Sequence, residues 1–310
     1  MIKDIPTKAD FDAIGIALLD QSWETAASLL VELEEAKRHI EPDDEESYWQ
    51  SASTKLATAL AIAHQGAEFL LKGRIAEVSP LLLISNPPRE WPKPGADGNI
   101  AFSQFRTVDA QDIVKLHDGC AAVPLDGNFA AAFETLRVRR NSVMHSVARD
   151  LKVHAAGLIE EILRIYTSLM PERNWVDARR EALFESSVSQ LWSGDWVEPS
   201  VVREFNTIKN VLSPAVMLEH FKFDKKRREY LCPHCTFYVC RDEDYESYSA
   251  TLTEKAPDCT TLHCFICHET QEVMRTDCDE DECKGNVVDM EYGRCLTCDS
   301  EVSEVEGDED

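Results

Sequence analysis

Ten of the eleven cysteines in this 310-residue chain lie after position 231, and eight of them form four half-sites: Cys232-Pro-His-Cys235, Cys264-Phe-Ile-Cys267, Cys278-Asp-Glu-Asp-Glu-Cys283 and Cys295-Leu-Thr-Cys298. A Cys-x-x-Cys turn presents two sulfurs to one ion, and a structural zinc ion takes four thiolate or imidazole ligands in a tetrahedron. Four half-sites therefore make two zinc sites. In sequence order these are Cys232, Cys235, Cys264 and Cys267, then Cys278, Cys283, Cys295 and Cys298; nested or crossed pairings would use the same residues. A four-cysteine site has no open position for a substrate, so these ligands read as structural. His234, His263 and His268, with Cys240 and Cys259, are near enough in sequence to replace a ligand and read more simply as neighbours. Cys120 reads as a small buried hydrophobe.

A second concentration of reactive side chains is Leu136-Arg137-Val138-Arg139-Arg140-Asn141-Ser142-Val143-Met144-His145, preceded by Phe129 and Phe133. At about 100° per residue, Arg137, Arg140, Asn141, Met144 and His145 share one broad helical face, and Arg139 points elsewhere. Such a face suits acid-base chemistry on a phosphodiester. A histidine gives or takes a proton near neutral pH, a guanidinium holds the phosphate oxygens, and neither role requires a metal. By spacing alone, an exposed basic helix with a capped or buried histidine fits as well.

Helices must position these residues. Apolar residues recur at three- and four-residue steps from Ala9 to Ile40, which predicts two helices broken near Gln21-Ser22-Trp23. A longer helix is expected from Glu45 to Lys72-Gly73, a shorter one from Asp109 to His117, and a long one from Gly127 to Met170, stopped by Pro171. Further helices fit Asn174 to Leu191 and Pro199 to Phe223, with an interruption at Pro214. Four prolines and two glycines between Ser85 and Gly98 predict a loop. After the basic run Lys225-Lys226-Arg227-Arg228, short alternating segments such as Cys232 to Cys240 suit small hairpins. The expected class is mainly α, with a small C-terminal β-rich module.

Residues 231–310 hold 22 Asp or Glu against 5 Lys or Arg, a net of −17, which leaves −8 of the chain's −25 to the first 230 residues. That much negative charge repels phosphate backbones, so any RNA must be handled locally. The first residues lack the apolar stretch of a secretory signal, and no window offers 18 uncharged apolar residues. A cytoplasmic protein with no membrane contact is expected, and in a reducing compartment cysteines at this spacing favour metal over disulfides.

Arg140-Asn141-Ser142-Val143-Met144-His145 resembles the motif of the HEPN superfamily of helical bundles, an Arg followed by a polar residue and, four to six positions on, a His. Ala61 to Lys72, with Glu68-Phe69-Leu70-Leu71-Lys72 followed by Ser79-Pro80-Leu81, resembles the first helix of that bundle and its exit. The resemblance covers about residues 45 to 170. The cysteine half-sites resemble zinc ribbons, whose members bind nucleic acid, bind proteins or only stabilise. The implied organisation is N-terminal helices over 1–44, a HEPN-like bundle over 45–170, connecting helices over 171–229, a double zinc-ribbon-like module over 230–300 and a disordered acidic tail over 301–310.

What the resemblance implies is an endoribonuclease of toxin or phage-defence type that cuts RNA without a metal, through attack of the ribose 2′-hydroxyl, usually with the motifs of two protomers brought together in a homodimer. His145 would be the general base or acid, Arg140 would stabilise the phosphorane, and Asn141 would orient the phosphate or the histidine. Arg137 and Arg139 are phosphate-contact candidates. Glu68 and Lys72 would line the same groove or form an exposed helix pair. Some HEPN toxins carry a tyrosine two residues after the histidine; here that position is Val147, so a mechanism needing that tyrosine is ruled out. The zinc module would sense, recruit or restrain, and the tail from Glu301 to Asp310 would compete with RNA for the basic face. The competing expectation is a non-catalytic interaction protein whose acidic zinc module docks a basic protein partner.

Overall fold

The computed structural model describes every residue except 38, 146–152, 242–244 and 304–310; the side chains of 42, 144 and 145 also lie outside the description. The protein is mainly helical and divides into two units, Met1–Ala178 and Arg179–Asp310.

In the first unit the order is β1 (Ile2–Lys3), α1 (Lys8–Ala36), α2 (Pro42–Val78), β2 (Ile100–Ala101), α3 (Ala110–Cys120), α4 (Gly127–His145) and α5 (Ala155–Leu169), followed by the start of α6 (Trp175–Glu185). Thr7 opens α1 with a capping box: its side chain accepts from the Asp10 amide while the Asp10 carboxylate accepts from the Thr7 amide. Where two helices are expected between Ala9 and Ile40, α1 runs unbroken. Ser22 spends its hydroxyl on the Ala59 carbonyl of α2 at 2.8 Å, and Trp23 is fully buried with its ring 5.2 Å from Trp175. Tertiary partners for both residues outweigh their weak helix propensity.

The α1 and α2 backbones meet at two glycines. A Cβ on Gly15 would lie 2.7 Å from the Leu70 side chain, and one on Gly66 would lie 3.0 Å from the Gly15 carbonyl oxygen. Against this pair, α5 buries Leu158, Ile159, Ile162, Leu163, Tyr166 and Leu169, the three- and four-residue stripe of a helix facing a core. On α4, Phe129, Phe133 and Leu136 are buried. Residues 146–152 of the expected Gly127–Met170 helix lie outside the described residues, and α5 starts again after His154. The segment from Ser85 to Gly98 is loop with one short 3₁₀ turn at Pro88–Glu90, as its prolines require.

The second unit takes the rest of α6, then α7 (Ser187–Leu191), α8 (Val197–Val211) and α9 (Pro214–Phe221). Pro214 opens α9, where its missing amide costs nothing. Helix α9 stops at Lys222 in the left-handed region, φ 56°. The antiparallel sheet that follows has the order β3 (Ala250–Leu252), β4 (Thr261–Cys264), β5 (Thr270–Met274), β6 (Val288–Asp289). Cys232 to Cys240 is not a hairpin: His234–Val239 forms a wide helical turn, which points the Cys235 sulfur inward. Phe221 and Phe223 close on Phe265 at 5.7 and 4.8 Å between ring centres, joining the end of α9 to the turn between Cys264 and Cys267.

Candidate functional site

Arg140, half-buried, extends the line of the buried stripe of α4. Phe129, Phe133, Leu136, Arg140 and Val143 follow one another at four- and three-residue steps, so a guanidinium stands where the core pattern calls for an apolar side chain. Val138, by contrast, is exposed. This inversion is a signal the sequence contained: a charge on the apolar stripe and a valine off it.

The three arginines differ in their partners. Arg137 is spent on Glu134, with Nε and Nη2 donating to the two carboxylate oxygens at 2.8 and 2.7 Å. Arg139 is turned away and ion-paired with Glu161 of α5. Arg140 donates from Nη1 to the Asn141 side-chain oxygen at 3.0 Å and, among the described residues, has no carboxylate partner. Asn141 thereby orients it. His145 closes the described backbone of α4, while its side chain and Val147 lie outside the described residues.

Helix α2 supplies the opposing wall. Lys72 and Glu68 are paired at 2.8 Å, and their side chains retain only 10% and 20% exposure, so this is no ordinary solvated helix pair. His64, one turn earlier, is a residue that the sequence pattern does not single out. It is fully buried, stacks on Phe133 with ring centres 5.1 Å apart, and among the described residues neither ring nitrogen has a hydrogen-bond partner. Burial pushes its pKa down to about 4; the Glu68 carboxylate opposes this, while Arg140 and Arg137 add to it. A neutral imidazole thus sits within the field of the proposed arginine face. Its importance arises from how α2 packs on α4, which no local pattern in α2 reveals.

The eight cysteines gather into two groups in sequence order: Cys232, Cys235, Cys264 and Cys267, and Cys278, Cys283, Cys295 and Cys298. Within each group all four sulfurs lie within 4.8 Å of one another. The measured pairs stand at 3.6 Å (Cys232 to Cys267, Cys278 to Cys298) and 3.9 Å (Cys235 to Cys264, Cys283 to Cys295). Four sulfurs at about 2.3 Å from one ion in a tetrahedron would be about 3.8 Å apart, so the sulfurs already have the spacing of a metal site.

The surroundings of the sulfurs suit thiolates. Backbone amides of Cys235, Ile266 and Gly285 donate to Cys232, Cys264 and Cys283 at 3.5, 3.4 and 3.3 Å. A chain of hydroxyls leads from α8 to the first group: Asn206 donates to Ser247 at 2.9 Å, Ser247 meets Ser249 at 2.8 Å, and Ser249 reaches the Cys264 sulfur at 3.2 Å. Gly285 is required by close approach, because a Cβ there would lie 2.6 Å from the Cys295 sulfur. His268 and Asp299, each directly after the last cysteine of its group, adopt left-handed φ values of 62° and 63°. Partial burial first, and then the thiols around it, push the Cys278 thiol up to about 12, because crowded thiolates need a cation to coexist. His234 stacks on Tyr238, His263 pairs with Thr270, and Cys259 meets the Thr261 carbonyl, so these three belong to neither sulfur group.

Comparison with protein-family models, curated proteins and solved structures finds no match to this chain. Among the described residues no helix is long and apolar enough to cross a membrane.

Proposed function

We propose that the protein is a HEPN-type endoribonuclease, possessing toxin-like or phage-defence activity, that acts as a homodimer without a catalytic metal and carries two structural zinc ions in its C-terminal module. The observation that carries this reading is Arg140, without a carboxylate partner among the described residues, standing on the apolar stripe of α4 and held by Asn141. A guanidinium without a carboxylate keeps its charge for a phosphate. His145, one turn beyond Asn141, takes the proton of the ribose 2′-hydroxyl. The 2′-oxygen then bonds to the adjacent phosphorus, Arg140 holds the doubly charged phosphorane, and the bond to the 5′-oxygen breaks. The leaving oxygen receives a proton from the second protomer's imidazole, giving a 2′,3′-cyclic phosphate and a 5′-hydroxyl. Zinc supplies no step in this scheme: each ion would tie two half-sites together as a closed four-thiolate complex.

The test is incubation of purified wild-type and His145→Ala protein with RNA in EDTA, beside the same RNA fully 2′-O-methylated. Cleavage by the wild type alone, absent on the methylated strand and ending in cyclic phosphate, is the expected result. No cleavage by the wild type would overturn the enzyme reading and leave the non-catalytic one, in which the −17 balance of residues 231–310 docks a basic protein.

A further inference from the structure

Within the strongly acidic C-terminal unit, one cleft gathers positive charge. A cleft of about 360 Å³ is lined by Lys226, Arg227, Arg228, Lys255 and Arg275, with Glu254 the one carboxylate in its wall. Residues 231–310 hold only five Lys or Arg, and two of those five, Lys255 and Arg275, lie here beside the basic run that precedes them.

The cations are fixed by neutral acceptors. Arg227 donates to the Thr253 carbonyl at 3.1 Å. Arg228 donates to the Lys284 carbonyl at 3.1 Å and to the Thr297 hydroxyl at 3.2 Å. Arg275 spends all three nitrogens on Asn286 and the Cys259 carbonyl, at 2.9 to 3.2 Å. None of these bonds removes charge. The side chains of Lys226 and Lys255 are exposed and, among the described residues, neither ammonium has an ion-pair or hydrogen-bond partner. Arg228 and Arg275 therefore form a fixed positive wall, and the two lysines, with the remaining nitrogens of Arg227, are its free donors.

We propose that this cleft binds phosphate groups of a single RNA strand, an inference that rests on RNA being the substrate of the arginine face. The free donors decide the chemistry. Five cations facing one carboxylate call for a polyanion, and the free lysine ammonium groups supply point charges that phosphate oxygens accept. Surrounding charge decides the form of the nucleic acid. A duplex would lay a rigid array of phosphates against the carboxylates of the module, whereas a flexible strand can place one or two phosphates in the cleft and keep the rest away.

The experiment uses the full chain and a fluorescent 2′-O-methyl RNA strand, which lacks the attacking hydroxyl and so reports binding without cleavage. Lys226→Glu/Lys255→Glu is expected to bind at least about tenfold more weakly than wild type. The dependence of log affinity on log salt should be shallower by about 0.7 for each phosphate that the variant fails to hold, with zinc content and melting temperature unchanged. Wild-type affinity and salt dependence in the double variant would overturn the proposal. So would lysine-dependent binding of a polyglutamate peptide with none of the RNA strand. If the wild type never cleaves RNA yet the lysines govern binding, the cleft stands and the nuclease falls. If it cleaves and the lysines do not matter, the nuclease stands and the cleft falls.

Discussion

The imidazole of His64, buried against Phe133 with both nitrogens unpartnered among the described residues, gives the fold a pH signature. Its folded pKa, about 4, lies below the ordinary 6.5, so between those values the unfolded chain binds the extra proton. The fold therefore loses stability as the pH falls from 6.5 toward 4, by on the order of 3 kcal/mol at most, and shows none of this loss above pH 6.5. Glu68, Glu134, Arg137, Arg140 and Phe133 all face this group, and the two arginines help keep it neutral. Urea unfolding of His64→Leu across this range should give a flatter profile than wild type; an unchanged slope would mean that His64 titrates normally. The same change removes two unsatisfied buried nitrogens, so at pH 7 the variant should be no less stable than wild type.

At the level of helices, the crossing of α1 and α2 depends on Gly15 and Gly66, whose missing Cβ atoms leave room for Leu70 and the Gly15 carbonyl. Gly15→Val should cost about 1–3 kcal/mol through overpacking, read as a drop in melting temperature; a neutral effect would show that the helices can part cheaply. This crossing also sets where His64 meets α4, and it explains how much the sequence could disclose. The number, order and type of most helices were legible because apolar spacing repeats at 3.6 residues in Leu56, Leu60, Ala63 and Ala67 or in Leu158, Ile162 and Tyr166. The continuity of α1 through Ser22 and Trp23 was not, because its cause lies in Ala59 and Trp175, far along the chain. Likewise Glu134 is three residues from Arg137 and could have been read as its partner, whereas Glu161 reaches Arg139 only through the packing of α5. That Arg140, of the three arginines, has no carboxylate partner among the described residues is thus a tertiary fact. The cysteine groups were legible as they stand, since paired half-sites in order need only short connections.

Across the whole molecule, the chemistry proposed for residues 1–178 and the metal proposed for residues 179–310 are carried by different side chains. Metal analysis should find two zinc ions per chain, falling to one in Cys264→Ser. Strong chelation should abolish the compact form of the second unit while leaving the helical circular dichroism of the first largely in place, because neither sulfur group draws a ligand from residues 1–178. Loss of all helical signal on chelation would contradict this separation. The proposed chemistry depends most heavily on Arg140, the one of the three arginines without a carboxylate partner among the described residues. Its direct test is the initial rate of RNA cleavage in EDTA by Arg140→Ala and Arg137→Ala beside wild type, with folding checked by melting temperature. A loss of about 100-fold or more is predicted for Arg140→Ala and a much smaller change for Arg137→Ala, whose partner is Glu134. Cleavage by a folded Arg140→Ala variant at the wild-type rate would contradict the central claim.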